Sequence, residues 1–251
     1  MAILLRWFGY SFVEIISEKG KKILIDPFIT DNKDCPFKNI NDIKEADLIL
    51  VTHGSRDHGV YEAPQIVKNT DAILCCAHDV AAYARMNGVK EDQISFICHG
   101  NVREYFGLKI RGMEAVHGSW ITSPDGSYLS YGAMGFIVHT ESNFRIYHLG
   151  DTSIIKNFEI FGQLYKPNIA LLPIGGALRG APQMHYNEAA LSTLWLSPDI
   201  AIPIHYESSK AHLAEKFVEC LKILDTPIKT EIIRPGETYK FDVQITCEKI
   251  Q

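Results

Sequence analysis

The chain lacks any apolar run approaching the roughly 20 residues that a membrane-spanning helix needs. It also lacks a Cys-x-x-Cys pair: Cys35, Cys75, Cys76, Cys98, Cys220 and Cys247 are scattered, and Cys75-Cys76 sits inside the apolar run DAILCCA. Free, buried thiols are therefore expected rather than disulfides or a thiolate metal site. No long run of one charge sign occurs, and a net charge of −5 advertises no broad basic surface, so nucleic acid is not an expected partner. The Gly175-Gly176 pair is not followed by a GxGxxG or GKS/T pattern, which rules out a nucleotide loop there. No Gly/Ser/Pro-rich linker and no short repeat divide the chain. The N-terminal stretch MAILLRWFGYSFVEI has no basic leader or small-residue cleavage site, and its alternation suits a strand. A cytoplasmic protein without a membrane partner is expected.

What is present is an ordinary globular composition, with 46% apolar and 22% charged residues in 251. A domain of that length buries roughly three quarters of its unfolded surface, so one domain spanning 1–251 is expected.

Patterning gives an α/β chain. ILLRWFG, SFVEIIS and KKILIDPF read as an antiparallel meander, and DLILVTH as a strand buried on both faces. Residues 60–69 and 79–88 read as helices flanking the strand at 71–77, with Gly88 at a C-cap position. The second half repeats this logic: strands LKIRGMEAVH, SYGAMGFIVHT, FRIYHLGD, IALLPIGG and IAIPIHY, helices at FEIFGQLY, NEAALSTLWL and KAHLAEKFVECLKIL, and a last strand EIIRPGETYKF with a turn at Pro235-Gly236.

The chemistry gathers at strand ends. His53, Asp57 and His58 lie within six residues after DLILVT, and a tight turn there aims imidazoles and a carboxylate at one point, the donor types that hold a cation such as zinc. His117, Asp151 and His205 each end a further apolar strand. A lone histidine at such a place is commonly a hydrogen-bonded structural residue, and a lone Asp151 a helix cap. Six together are hard to explain in that way.

THGSRDHG, AVHG, HLGDT and PIHY, in that order, with GYSF, ILIDPF, LLPIGG and HYNEAA, resemble the signature of metallo-β-lactamase-fold hydrolases over nearly the whole chain. The nearest branch is the UlaG-like, L-ascorbate-6-phosphate lactonase-like group, with small lactamase-like hydrolases beside it. The resemblance implies a four-layer αββα sandwich with the site at one edge between two sheets. It implies one metal at His53 and His117, another at Asp57, His58 and His205, and Asp151 bridging. It further implies one or two divalent ions, zinc foremost with manganese, iron or nickel as alternatives. A metal-bound hydroxide would cleave an ester, lactone, amide or phosphodiester bond of a small-molecule substrate. Asp57 would accept a proton or orient the water, and His185 would stabilise an oxyanion or protonate the leaving group, unless it only caps its helix. Asp26 is expected to orient a ligand histidine from behind, and His148 to be core.

Two positions depart from the pattern. The family reads His-x-His-x-Asp-His, and Ser55 stands at the second histidine. Three outcomes follow: a single metal at Asp57, His58 and His205, two metals of unequal affinity, or a lost activity. The alternative function is thus a non-catalytic, metal-sensing or ligand-binding protein with a degraded hydrolase site. Tyr10 stands where this branch carries the histidine of Gly-His-Ser, and is expected to be a packed strand residue. A homo-oligomer is left open.

Overall fold

The computed structural model describes residues 2–176 and 183–242. Two seven-stranded sheets form its centre. In the first, β1 (Ala2–Trp7), β2 (Val13–Ile16) and β3 (Lys22–Ile25) make the antiparallel meander, followed in parallel by β4 (Leu48–Val51), β5 (Ile73–Cys76) and β6 (Ile94–Phe96). In the second, β7 (Val102–Tyr105), β8 (Leu108–Gly118) and β11 (Gly132–His139) run antiparallel to their neighbours. They continue into β12 (Arg145–His148), β13 (Ile169–Pro173), β14 (Ile200–Ile204) and β15 (Lys229–Thr230), the last three pairings being parallel. A small hairpin, β9 (Ile121–Thr122) with β10 (Tyr128–Leu129), stands apart, and β16 (Thr238–Asp242) closes the first sheet against β1.

The continuous apolar reading of β4 is explained by its two faces. Leu48 and Leu50 enter the core shared by the sheets, whereas Ile49 and Val51 face helices α1 (Ala63–Thr70) and α2 (His78–Met86) through Ile66, Val67, Val80 and Ala84. Each such side chain contributes about 1.5–3 kcal/mol on burial, so neither face tolerates water. Helices α3 (Asn157–Tyr165), α4 (Tyr186–Leu196) and α5 (His212–Ile223) bring Phe158, Ala189, Ala190 and Phe217 to the second sheet. The layers run helix, sheet, sheet, helix, as the resemblance implies.

Two local expectations change. Tyr10 is not in a strand: it has φ +49° in the turn between β1 and β2. Residues 231–234 form no strand, and only β16 follows the turn at Pro235-Gly236. Cys35, Cys75 and Cys76 are buried free thiols while Cys98 and Cys220 are half-buried, and Cys247 lies outside the described residues.

Candidate metal centre

Parallel strands in an α/β sheet present their carboxyl ends to a common edge, the usual place for ligands in such folds. Here β3 is followed by Asp26, β4 by His53, β12 by Asp151 and β14 by His205, while His117 is near the end of β8. A 3-10 turn, Arg56–His58, supplies Asp57 and His58 and closes with Gly59 at φ +68°. A Cβ at Gly59 would lie 2.4 Å from the Pro27 carbonyl oxygen, so only glycine lets this turn press against the loop after β3.

The donor atoms converge. Those of His53, His58 and Asp151 lie within 4.8 Å of one another, as do those of Asp57, His58 and His205. Asp151 stands between the sets: Oδ2 is 3.3 Å from His58 Nε2 and 3.9 Å from His117 Nε2, and Oδ1 is 3.3 Å from His205 Nε2. Oδ2 of Asp57 is 3.7 Å from His205 Nε2. His53, His58, Asp151 and His205 are buried, whereas the Asp57 side chain is 38% exposed and forms the mouth.

The far sides of the rings are pinned. Asp26 Oδ2 accepts from His58 Nδ1 at 2.7 Å, and the same carboxylate accepts the Thr52 amide (2.7 Å) and hydroxyl (2.8 Å). With its own proton given to Asp26, the Thr52 hydroxyl accepts from His53 Nδ1 at 3.1 Å. Both imidazoles therefore donate from Nδ1 and turn Nε2 inward, the orientation a metal needs. Burial opposes charge on His58, but Asp26 and Asp151 raise its pKa well above the usual value, so without a cation its Nε2 also carries a proton, 3.3 Å from Asp151 Oδ2. Two buried atoms there, His53 Nε2 and Asp151 Oδ1, have no hydrogen-bond partner. Buried polar atoms are rarely left so, and an anion beside inward-facing imidazole nitrogens is a donor set that a divalent cation satisfies.

The electrostatics agree. Burial drives the His53 pKa well below its usual value, with His58 adding to the effect, so this ring stays neutral. Burial opposes ionisation of Asp151, but His205 and His58 outweigh it and hold the carboxyl far down; for Asp57, His58, His205 and the Ser55 hydrogen bond likewise outweigh burial. Both stay carboxylates.

Backbone strain marks the same edge. His205 has φ +58° and Asp26 φ +50°, conformations that cost non-glycine residues of order 1–3 kcal/mol. The His205 amide donates to the Tyr10 carbonyl at 2.8 Å, which also accepts from the Trp7 indole at 2.7 Å. The Tyr10 ring meets that of His205 edge-on at 5.7 Å.

Five of the six proposed ligands fall in these two sets, and His117 stands at their edge with Nε2 3.9 Å from Asp151 Oδ2. Asp26 and His148 stand as expected, the latter fully buried with Nε2 on the Ser11 carbonyl at 2.9 Å. His185 lies outside the converging donors. It caps α4, its amide donating to Glu188 at 2.8 Å, and its exposed ring lies over Gly176. Sequence reasoning missed Thr52, Ser119 and Asp79. The Ser119 hydroxyl accepts the Gly54 amide at 2.7 Å and donates to the buried Asp79 carboxylate, while the Trp120 amide donates to the Gly54 carbonyl at 3.0 Å. This clamp joins the His53 loop to the strand of His117. The available signal was a serine two residues after a candidate ligand.

Residues 4–205 match the model of the beta-lactamase superfamily domain. A UPF0173 metal-dependent hydrolase of Methanobrevibacter smithii is 31% identical, covering 95% of this chain and 97% of its own; one from Methanopyrus kandleri is 34% identical, covering 93% and 98%. A metallo hydrolase from Ignicoccus hospitalis superposes with a TM-score of 0.78 at 26% identity, over 97% of this chain and all of that one. An isothiocyanate hydrolase from Delia radicum gut bacteria shares the fold, with a TM-score of 0.70 at 22% identity over 95% and 98%. The chain belongs to the beta-lactamase superfamily and, within it, to the UPF0173 metal-dependent hydrolases.

Proposed function

We propose that this chain hydrolyses an ester, lactone, amide or phosphodiester bond of a small-molecule substrate, using divalent cations, zinc foremost, at two positions of unequal affinity. Asp57, His58, His205 and Asp151 hold the tighter ion. His53, His117 and Asp151 hold the weaker one, where Ser55 takes the place of a nitrogen donor. When bound, such a cation lowers the pKa of water from about 15.7 to about 7 and polarises the scissile bond. Asp57, half-exposed at the mouth and kept ionised, accepts the proton released as water attacks. His185, exposed beside the Gly175-Gly176 turn that packs on the His205 carbonyl, meets the leaving group in this reading.

The observation that carries the proposal is the pair of unpartnered buried donors, His53 Nε2 and Asp151 Oδ1, inside a ring of inward-facing imidazoles. A second reading, a metal-binding protein without turnover, is favoured by Ser55, whose hydroxyl donates to the Asp57 carboxylate that would otherwise be free for catalysis. The whole chain, 1–251, acts in both readings as one cytoplasmic domain. Support for the single domain is one apolar core shared by both sheets.

Elemental analysis of the purified chain, of Asp151→Ala and of Ser55→His tests the proposal, followed by ester, lactone, amide and phosphodiester panels. Between one and two metals per chain, none in Asp151→Ala and two in Ser55→His are expected, with turnover in one panel. Metal without turnover selects the second reading. No metal after reconstitution with zinc, manganese, iron or nickel overturns both.

A further inference from the structure

A cleft of about 370 Å³ opens beside Asp57, lined by Phe28, Thr30, Arg56, Tyr61 and Glu62. It adjoins the metal centre through two links. Arg56 directly precedes Asp57 in the 3-10 turn, and the Phe28 ring meets Tyr10 edge-on at 5.5 Å, which in turn meets His205. The size falls within the range of small-molecule sites.

Its charges are already used. Both oxygens of the buried Glu62 accept backbone amides, those of Ile29 at 2.7 Å and Thr30 at 2.6 Å. Arg56 is paired with Asp31. The remaining walls are two aromatic rings, Phe28 within and Tyr61, 40% exposed, at the rim, with Thr30 beside them. The Tyr61 hydroxyl accepts the Thr122 amide at 3.4 Å, which ties the cleft to the β9–β10 hairpin. Just before that hairpin stands Trp120, 53% exposed, its ring roughly parallel to His117 at 6.4 Å. A Cβ at Gly118 would lie 2.4 Å from the Trp120 ring, so glycine there lets the indole fold back beside the ligand histidine. Exposed aromatic surface flanking a polar centre on two sides marks a place for an apolar ligand.

We propose that this cleft binds an uncharged apolar arm of the substrate, an alkyl chain or aryl ring, between Phe28 and Tyr61, while Trp120 covers the part over His117. The word substrate rests on the hydrolase reading; the binding site does not. Burying each methylene strengthens binding about fourfold, so affinity rises with chain length until the cleft is full.

Calorimetric titration of the zinc-loaded protein with butanamide, hexanamide and hexanesulfonate tests this, alongside hydrolysis of 4-nitrophenyl acetate and hexanoate. Hexanamide is expected to bind about sixteenfold more tightly than butanamide and more tightly than hexanesulfonate, a poor metal ligand of matched length. Tyr61→Ala should shrink the chain-length step, and Tyr61→Phe, which keeps the ring, should restore it. The hexanoate ester should show the lower KM. Equal affinity of the two amides, tighter binding of the sulfonate, or an unchanged step in a folded Tyr61→Ala overturns the proposal. The hydrolase reading stands or falls separately, on the four substrate panels: with no turnover in any of them, a preference for hexanamide still upholds the cleft, and with turnover, indifference to chain length removes the cleft and leaves the hydrolase.

Discussion

The Ser55 hydroxyl donates to Oδ1 of Asp57 at 2.5 Å, leaving Oδ2 of that carboxylate turned toward His205. The residue standing where the family has a histidine has therefore become a support for its neighbour. Ser55→Ala should release the Asp57 carboxylate and weaken the tighter cation by about 10–100-fold, the usual effect of removing a partner of a ligand. Ser55→His should act in the opposite sense on the weaker position by adding a nitrogen donor. Zinc titration against a chromophoric chelator reads both, and identical constants in all three proteins would refute the assignment.

Asp26 fixes three groups at once: the His58 ring, the Thr52 amide and the Thr52 hydroxyl. Asp26→Asn retains the volume but presents an amide nitrogen to one of these donors. Zinc affinity should fall about 10–100-fold, and stability by about 1–3 kcal/mol because buried donors lose their acceptor. Chelator competition and urea unfolding measure the two effects. A large stability loss with unchanged affinity would make Asp26 merely structural.

The convergence of these side chains was legible because His53, His117, Asp151 and His205 stand at or just after the end of an apolar strand, where a polar side chain has little else to explain it, and Asp57 and His58 follow in the next turn. Periodicity also gave the strands of both main sheets that carry them, and the two-faced burial of β4. The supports were not legible. Gly54 and Ser119 are 65 residues apart, and Ser119 and Asp79 are 40 apart, so only the packing of one sheet on the other creates the clamp. Tyr10 was misplaced for a local reason: its neighbours alternate like a strand, but the chain turns there at positive φ to offer its carbonyl to His205. Short strands such as β6 and β9 carry too few residues for any period to show.

Ser119→Ala should leave the Gly54 amide and the buried Asp79 carboxylate without their shared partner. A loss of about 1–3 kcal/mol is expected, with Asp79 Oδ1 still accepting the Val80 amide at 2.8 Å. The effect on metal should be selective: the weaker position, with His53 and His117 on the two clamped segments, should lose occupancy before the tighter one. Metal content at rising zinc concentration separates the two, and an equal loss at both positions would count against the clamp.

Acid should expel the cation by a route that the structure specifies. Burial opposes charge on His58, yet Asp26 and Asp151 outweigh it and lift its pKa well above the ordinary imidazole value of 6.5. A raised folded value means that protonation stabilises the metal-free fold; that contribution is complete below about 6.5 and is lost as pH rises through the folded value. A cation needs the same Nε2 lone pair and must displace the proton. Affinity should therefore fall by about tenfold for each pH unit below the folded value, one proton being exchanged per ion. Zinc constants at pH 6, 7 and 8 decide the matter, and a flat profile would exclude proton competition at His58.

Metal removal should be visible in stability, because a ligand bound only by the folded state adds RT ln(1 + [L]/Kd). At a zinc concentration of a hundred times Kd this amounts to about 2.7 kcal/mol. For a chain of this length each kcal/mol moves Tm by about 2–4 °C, so chelation should lower Tm by about 5–10 °C. Asp151 faces His58, His117 and His205 and contacts both donor sets, so Asp151→Ala should abolish the shift and not simply reduce it. Scanning calorimetry of both proteins with zinc and with chelator gives the answer. A zinc shift surviving in Asp151→Ala would mean that the stabilising ion sits elsewhere.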